Sequence, residues 1–166
     1  MSWIDAEELT NYTSAPLILL ATTVDGEGPT AELLRKMLSP NILEGVNSGK
    51  YVVFKKLNTW SRPQMLLIVL GRNQSELGAN IIEWSDSLFV WADVFKRDRV
   101  SDQLFSKGEQ RDIEKYLGGK YGYKLRVMHD YLIAQENDSL DFMRLIRHYP
   151  ERWIMVATGE LGEGQQ

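Results

Sequence analysis

Apolar residues fall in short runs along most of the chain, and the spacing within each run predicts its element. Pro16 to Thr23 is a compact apolar run with β-branched residues and a turn behind it, which predicts a buried strand. Asp25 to Thr30 is turn-forming, and Pro29 suits the first turn of a helix. Ala31, Leu34, Met37 and Leu38 then recur at three and four residues until Pro40 stops the pattern. Tyr51 to Leu57 alternates as a half-buried strand does, and Gln64 to Leu70 is apolar on both faces, the signature of a central strand. Asn58 to Pro63 between them fits a hairpin loop. Ala79 to Trp84 reads as a short strand and Leu88 to Phe95, rich in aromatic and β-branched residues, as another. Arg99 to Leu117 predicts a helix with Val100, Leu104, Ile113 and Leu117 on one stripe, bent at Gly108 and capped by Gly118 and Gly119.

The last third changes character. Tyr123 to Met128, Tyr131 to Glu136, Leu140 to Arg147 and Trp153 to Thr158 read as four short strands, with turns at Asn137–Ser139 and Tyr149–Arg152, although Leu140, Met143 and Ile146 would also suit a short helix. Gly159 onward is a polar, glycine-rich tail expected to be flexible. The order predicts an α+β fold: a ferredoxin-like split βαβ core, mainly antiparallel with two helices, extended by a C-terminal β-meander. Without an internal repeat or linker, residues 1–158 are expected to form a single domain.

Composition narrows the chemistry. With 43% apolar residues and five Trp among 166, the chain can build a substantial core. Nineteen basic residues stand against 23 acidic ones, so the basic excess of a nucleic-acid-binding domain is missing. There is no cysteine, which excludes disulfides, thiolate ligands and Cys nucleophiles. The two histidines, His129 and His148, lack a second ligand at zinc spacing, and no cofactor motif is present. The amino end lacks the apolar stretch of a signal peptide, and Leu17 to Ala21 is far short of the ~20 residues that span a bilayer, so a soluble chain is expected.

Candidate sites are few. The Asp25–Thr30 loop sits where phosphate loops lie, but it lacks the Gly-Lys-Ser/Thr ending, and Asp25 and Glu27 would repel a phosphate. It reads as an ordinary turn. His129 beside Asp130 has the residue types of a general base and its orienting acid, although neighbours on a strand point to opposite faces. The basic run Lys96–Arg99 reads as a solvated turn. A second basic group, Arg144, Arg147, His148 and Arg152, is interleaved with Tyr149 and Trp153. On a strand, Arg144 and His148 share one face while Arg147 projects from the other. Guanidinium beside indole suits an acidic peptide, a glycan or an anionic headgroup. Trp60, in the hairpin loop beside Arg62, would mark a contact surface if its indole were exposed. Asn11, Asn73 and Asn137 each begin a glycosylation-acceptor triplet, a pattern frequent by chance.

Three stretches carry a family resemblance. They are Thr59 to Val69, Gln110 to Val127 with its charged helix entering a strand, and Asp130 to Asn137 with Leu140 to Arg147 and Trp153 to Val156. From Lys50 to Thr158 the chain resembles an uncharacterised family of bacterial envelope lipoproteins with no assigned activity. It departs from that pattern in lacking a lipid-attachment cysteine, a Trp-Ala-x-Pro-Gln strand entry and a second half. The resemblance implies an envelope or periplasmic location in a truncated or short form, and no catalytic residue; without it, a cytoplasmic location is expected. The resulting expectation is a non-enzymatic interaction domain that binds another protein or an anionic ligand through Trp60, Arg62, Arg144, Arg147 and Arg152. The alternative is a small hydrolase using His129 or His148 with a nearby carboxylate.

Overall fold

The structure, a computed structural model, describes Ile4 and residues 6–159; the expected tail lies, beyond Gly159, outside the described residues. The architecture is mixed α/β, with two three-stranded sheets and, among the described residues, five α-helices. The chain forms two compact units, divided between Arg99 and Val100.

In the N-terminal unit a short 3-10 helix (Ala6–Tyr12) precedes β1 (Leu17–Thr23), α1 (Pro29–Met37), α2 (Pro40–Asn47), β2 (Val53–Leu57), β3 (Met65–Gly71) and α3 (Gln74–Glu83). Then α4 (Ser85–Phe105) begins. The sheet order is β1-β3-β2, with β1 parallel and β2 antiparallel to β3. Every residue of β3 is buried, as its two-sided apolar run predicts. Leu66, Ile68 and Leu70 enter one core with Ile18, Leu20, Leu34 and Val46. Met65, Leu67 and Val69 enter a second core, against Leu88, Trp84, Trp91 and Phe95. Helices therefore cover both faces of this small sheet.

The C-terminal unit holds the end of α4, then α5 (Arg111–Tyr121), β4 (Leu132–Asn137), β5 (Phe142–His148) and β6 (Glu151–Ala157). Its sheet is an antiparallel meander, β4-β5-β6. Leu117 and Tyr121 of α5 pack on Met143, Leu145 and Val156 from one face of that sheet, with Val127 and Tyr131 closing the core.

Several sequence expectations need correction. A ferredoxin-like core is antiparallel throughout, whereas β1 and β3 run parallel, and the meander forms a sheet of its own instead of extending the first. The cause is α2: Pro40, expected to stop α1, also begins a new helix at its first turn. With two helices between them, β2 enters antiparallel to β1, and the hairpin returns β3 parallel to it. The strands expected at Ala79–Trp84 and Leu88–Phe95 are helical, within α3 and α4. The helix expected over Arg99–Leu117 is instead the end of α4 and most of α5, separated around Gly108. Gly118 and Gly119 lie inside α5, and the left-handed cap is Gly122 (φ 75°). Of Tyr123–Met128 only Met128 pairs, in an isolated bridge with Glu109.

Candidate functional site

The five expected contact residues divide between the two units. Trp60 and Arg62 belong to the N-terminal unit. Trp60 is half-buried against the core of Leu66, Ile68 and Val46, so its indole anchors the hairpin instead of standing free. Its backbone N–H donates to Gln64 Oε1 at 2.9 Å. Arg62 is exposed.

The three arginines of the C-terminal unit lie on its sheet. The alternation of β5 buries Met143 and Leu145 and turns Phe142, Arg144, Ile146 and His148 to the opposite, outer face. On β6 the residues in register with these are Ala157, Met155, Trp153 and Glu151. The Arg144 guanidinium lies over the Trp153 ring, 4.2 Å from its centroid, a cation–π geometry. Arg144 Nε is buried and makes no hydrogen bond. Around this pair the face is apolar and open: Leu132 is 52%, Trp153 48% and Met155 68% exposed. The indole Nε1 donates to Glu151 Oε1 at 2.6 Å, which fixes the ring at the turn end of β6.

Arg147 projects from the other face, as the alternation predicts, and does not join Arg144. Its Nε lies 2.9 Å from Asp130 Oδ2 and donates to the Tyr149 carbonyl at 3.2 Å. Arg152, opposite Arg147 in register, is exposed and donates to the Glu151 carbonyl at 2.9 Å. The basic group read from the sequence is thus split between the two faces of one sheet.

His148 is exposed at the end of β5. His129 and Asp130 occupy a cleft of about 480 Å³, bounded by the last turn of α4, the Met128–Asp130 turn and the β5–β6 turn. The histidine turn is pinned by its backbone. Gln110 Nε2 donates to the carbonyls of His129 (2.6 Å) and Tyr131 (3.1 Å), and His129 N donates to Gly108 O at 3.2 Å. Ser106 lines the cleft, but its hydroxyl donates to the Gln103 carbonyl at 2.9 Å. Sequence reasoning found His129 and Asp130 and missed Lys107, which lines the same cleft.

A cluster outside the expected set ties α5 to the sheet. Lys120 pairs with Glu136 at 2.6 Å and with Asp138, and Tyr116 donates to Glu136 Oε1 at 2.6 Å. Hydrogen bonds from Lys120 and Tyr116 pull the Glu136 carboxyl below its ordinary range. Bonds to Asp138 and Glu136 raise Lys120 above the usual lysine value. Both carboxylates share the single ammonium of Lys120, and the cluster links α5 to β4 and the turn after it. Two of the glycosylation-type asparagines are likewise committed: Asn73 Oδ1 caps α3 through Glu76 N–H, and Asn137 Oδ1 accepts from Ser139 N–H.

Among the described residues no His, Asp and Glu cluster is disposed to hold a metal ion, and no helix is long and apolar enough to cross a membrane. No family model, curated protein or solved structure matches the chain.

Proposed function

We propose that the protein is a non-enzymatic interaction domain of the bacterial cell envelope, and that its contact surface is the outer face of the C-terminal sheet. The observation that carries this is the Arg144–Trp153 stack, set among the exposed Leu132 and Met155. An aromatic beside arginine in an apolar surround is the composition of an interface hot spot. A partner segment with one carboxylate flanked by apolar side chains complements it: the carboxylate meets the guanidinium and the apolar flanks cover the strands. The envelope location rests on the family resemblance alone.

Selection of displayed 12-residue peptides on the immobilised protein tests the surface. Enriched peptides should carry Asp or Glu between apolar residues, and should lose binding to Arg144→Glu and Trp153→Ala. Peptides without acidic enrichment, or binding equally well to Arg144→Glu, would refute it. The intact mass and membrane or soluble partition of the endogenous protein test the location.

The second reading, a hydrolase, is favoured by one observation: His129 and Asp130 share a cleft. Its weakness is that Asp130 is paired with Arg147 and Ser106 with a backbone carbonyl. Turnover of p-nitrophenyl acetate that disappears in His129→Ala would support it.

A further inference from the structure

Apart from the sheet face, the cleft around His129 has the chemistry of a ligand site. We infer that it binds a small organic carboxylate, one carboxyl head on an apolar or aromatic body. Its volume, about 480 Å³, falls in the range of small-molecule sites, ~300–1,000 Å³. Val100, Leu104 and Met128 supply apolar lining, while Lys107, His129 and Arg147 supply polar groups.

Charge decides the ligand's sign. The cleft is lined by two permanent cations, Lys107 and Arg147, and one anion, Asp130. Asp130 sits at the Nε edge of Arg147, and neither terminal nitrogen of that guanidinium hydrogen-bonds another group among the described residues. Those two nitrogens form the fork that takes a carboxylate through parallel bonds. Lys107 is exposed and has no carboxylate partner among the described residues. The imidazole of His129 makes no hydrogen bond there either.

Two features oppose an anion: Asp130 Oδ1, which is buried without a hydrogen-bond partner, and the C-terminal end of α4, which carries about half a negative charge. Two of its carbonyls are already engaged, Gln103 by the Ser106 hydroxyl and Phe105 by Gly108 N–H. With Asp130 already counted, the excess of one full positive charge outweighs the helix end. An excess near one also matches a monoanionic carboxylate better than a phosphate dianion. The site is held in shape, because Gln110 fixes the histidine turn and Arg126 ties Ser101 of α4 to Glu109. Tyr149, 91% exposed, stands at the rim as a ring free to fold over an aromatic ligand.

The test uses the full chain, isotope-labelled, titrated with phenylacetate, acetate, phenyl phosphate and benzyl alcohol while amide shifts are followed. Phenylacetate should move the amides of Lys107, His129 and Asp130 saturably, with acetate much weaker and benzyl alcohol inert. Lys107→Gln, at an exposed unpaired side chain, should fold normally and weaken phenylacetate about fivefold, the effect of ~1 kcal/mol. Arg144→Glu, on the outer face, should leave it unchanged, which separates this site from the peptide surface. No saturable shift in the cleft, or shifts that ignore Lys107→Gln, overturns the site. Tighter binding of phenyl phosphate than phenylacetate overturns the head-group assignment.

Discussion

Gln64 is fully buried at the start of the central strand, and both its amide donors and its carbonyl oxygen are engaged. Nε2 donates to the carbonyls of Thr13 (2.7 Å) and Ala15 (2.8 Å), and Oε1 accepts the Trp60 N–H (2.9 Å). One side chain thus joins the segment before β1 to the β2–β3 hairpin. Gln64→Leu keeps the volume and strips three partners at once. An orphaned buried polar group costs ~1–3 kcal/mol, and these partners are part-buried, so water recovers some of it. The extra apolar burial offsets about 1 kcal/mol more. A net loss of ~2–4 kcal/mol is expected. Gln64→Glu should be worse at neutral pH, because a carboxylate would face two carbonyls. Its folded pKa is then raised, so that variant should regain stability as pH falls, when the protonated acid again donates. Hydrogen exchange at the β3 amides gives a local readout that does not depend on both units unfolding together. If Gln64→Leu leaves those amides within ~0.5 kcal/mol of wild type, the network is not holding the hairpin to β1.

Gly71→Ala would place a Cβ 2.5 Å from the Leu77 nitrogen and 2.7 Å from its Cα. Backbone cannot rotate away, so α3 must shift, and urea denaturation should show a loss of ~1–3 kcal/mol. Gly119→Ala is the opposite case: it lies within α5 with open space around it, so helix propensity predicts a gain approaching ~1 kcal/mol. The Lys120–Glu136 cluster sets an acid limit. Because Glu136 is held below its ordinary value, its contribution is present above the unfolded-state pKa and is lost as pH falls through the lowered one. Thermal unfolding below about pH 4.5 should therefore fall less steeply in Glu136→Gln than in wild type.

What the sequence revealed depended on how cleanly one periodicity spoke. The β3 run was legible because a short, continuously apolar stretch bounded by turn signals fits a central strand. The β5 segment was only half legible: Met143 and Leu145 alternate with Arg144 and Ile146, but Leu140, Met143 and Ile146 also keep a helical spacing. By contrast, α4 was hidden by its composition. Leu88, Trp91, Ala92 and Phe95 do recur at three and four residues and face the core. Phe89, Val90 and Val94 lie exposed between them, blurring that stripe into what looks like a strand. The site was partly legible for the same reason. Alternation placed Arg144 and Arg147 on opposite faces, whereas the cleft unites α4, the histidine turn and β5, a closure that no local pattern encodes.

The double-sided burial of β3 also bears on the chain before it has folded. Met65 to Leu70 is a six-residue uncharged stretch with high strand propensity, the kind of segment that self-associates when exposed. In the native state both of its edges are occupied, by β1 and β2, and helices cover both faces. During synthesis it has no such cover until α3 and the first half of α4 have emerged. Its neighbours are suited to that interval: Lys55, Lys56 and Arg62 with Pro63 precede it, and Arg72 follows, as charged and strand-breaking gatekeepers.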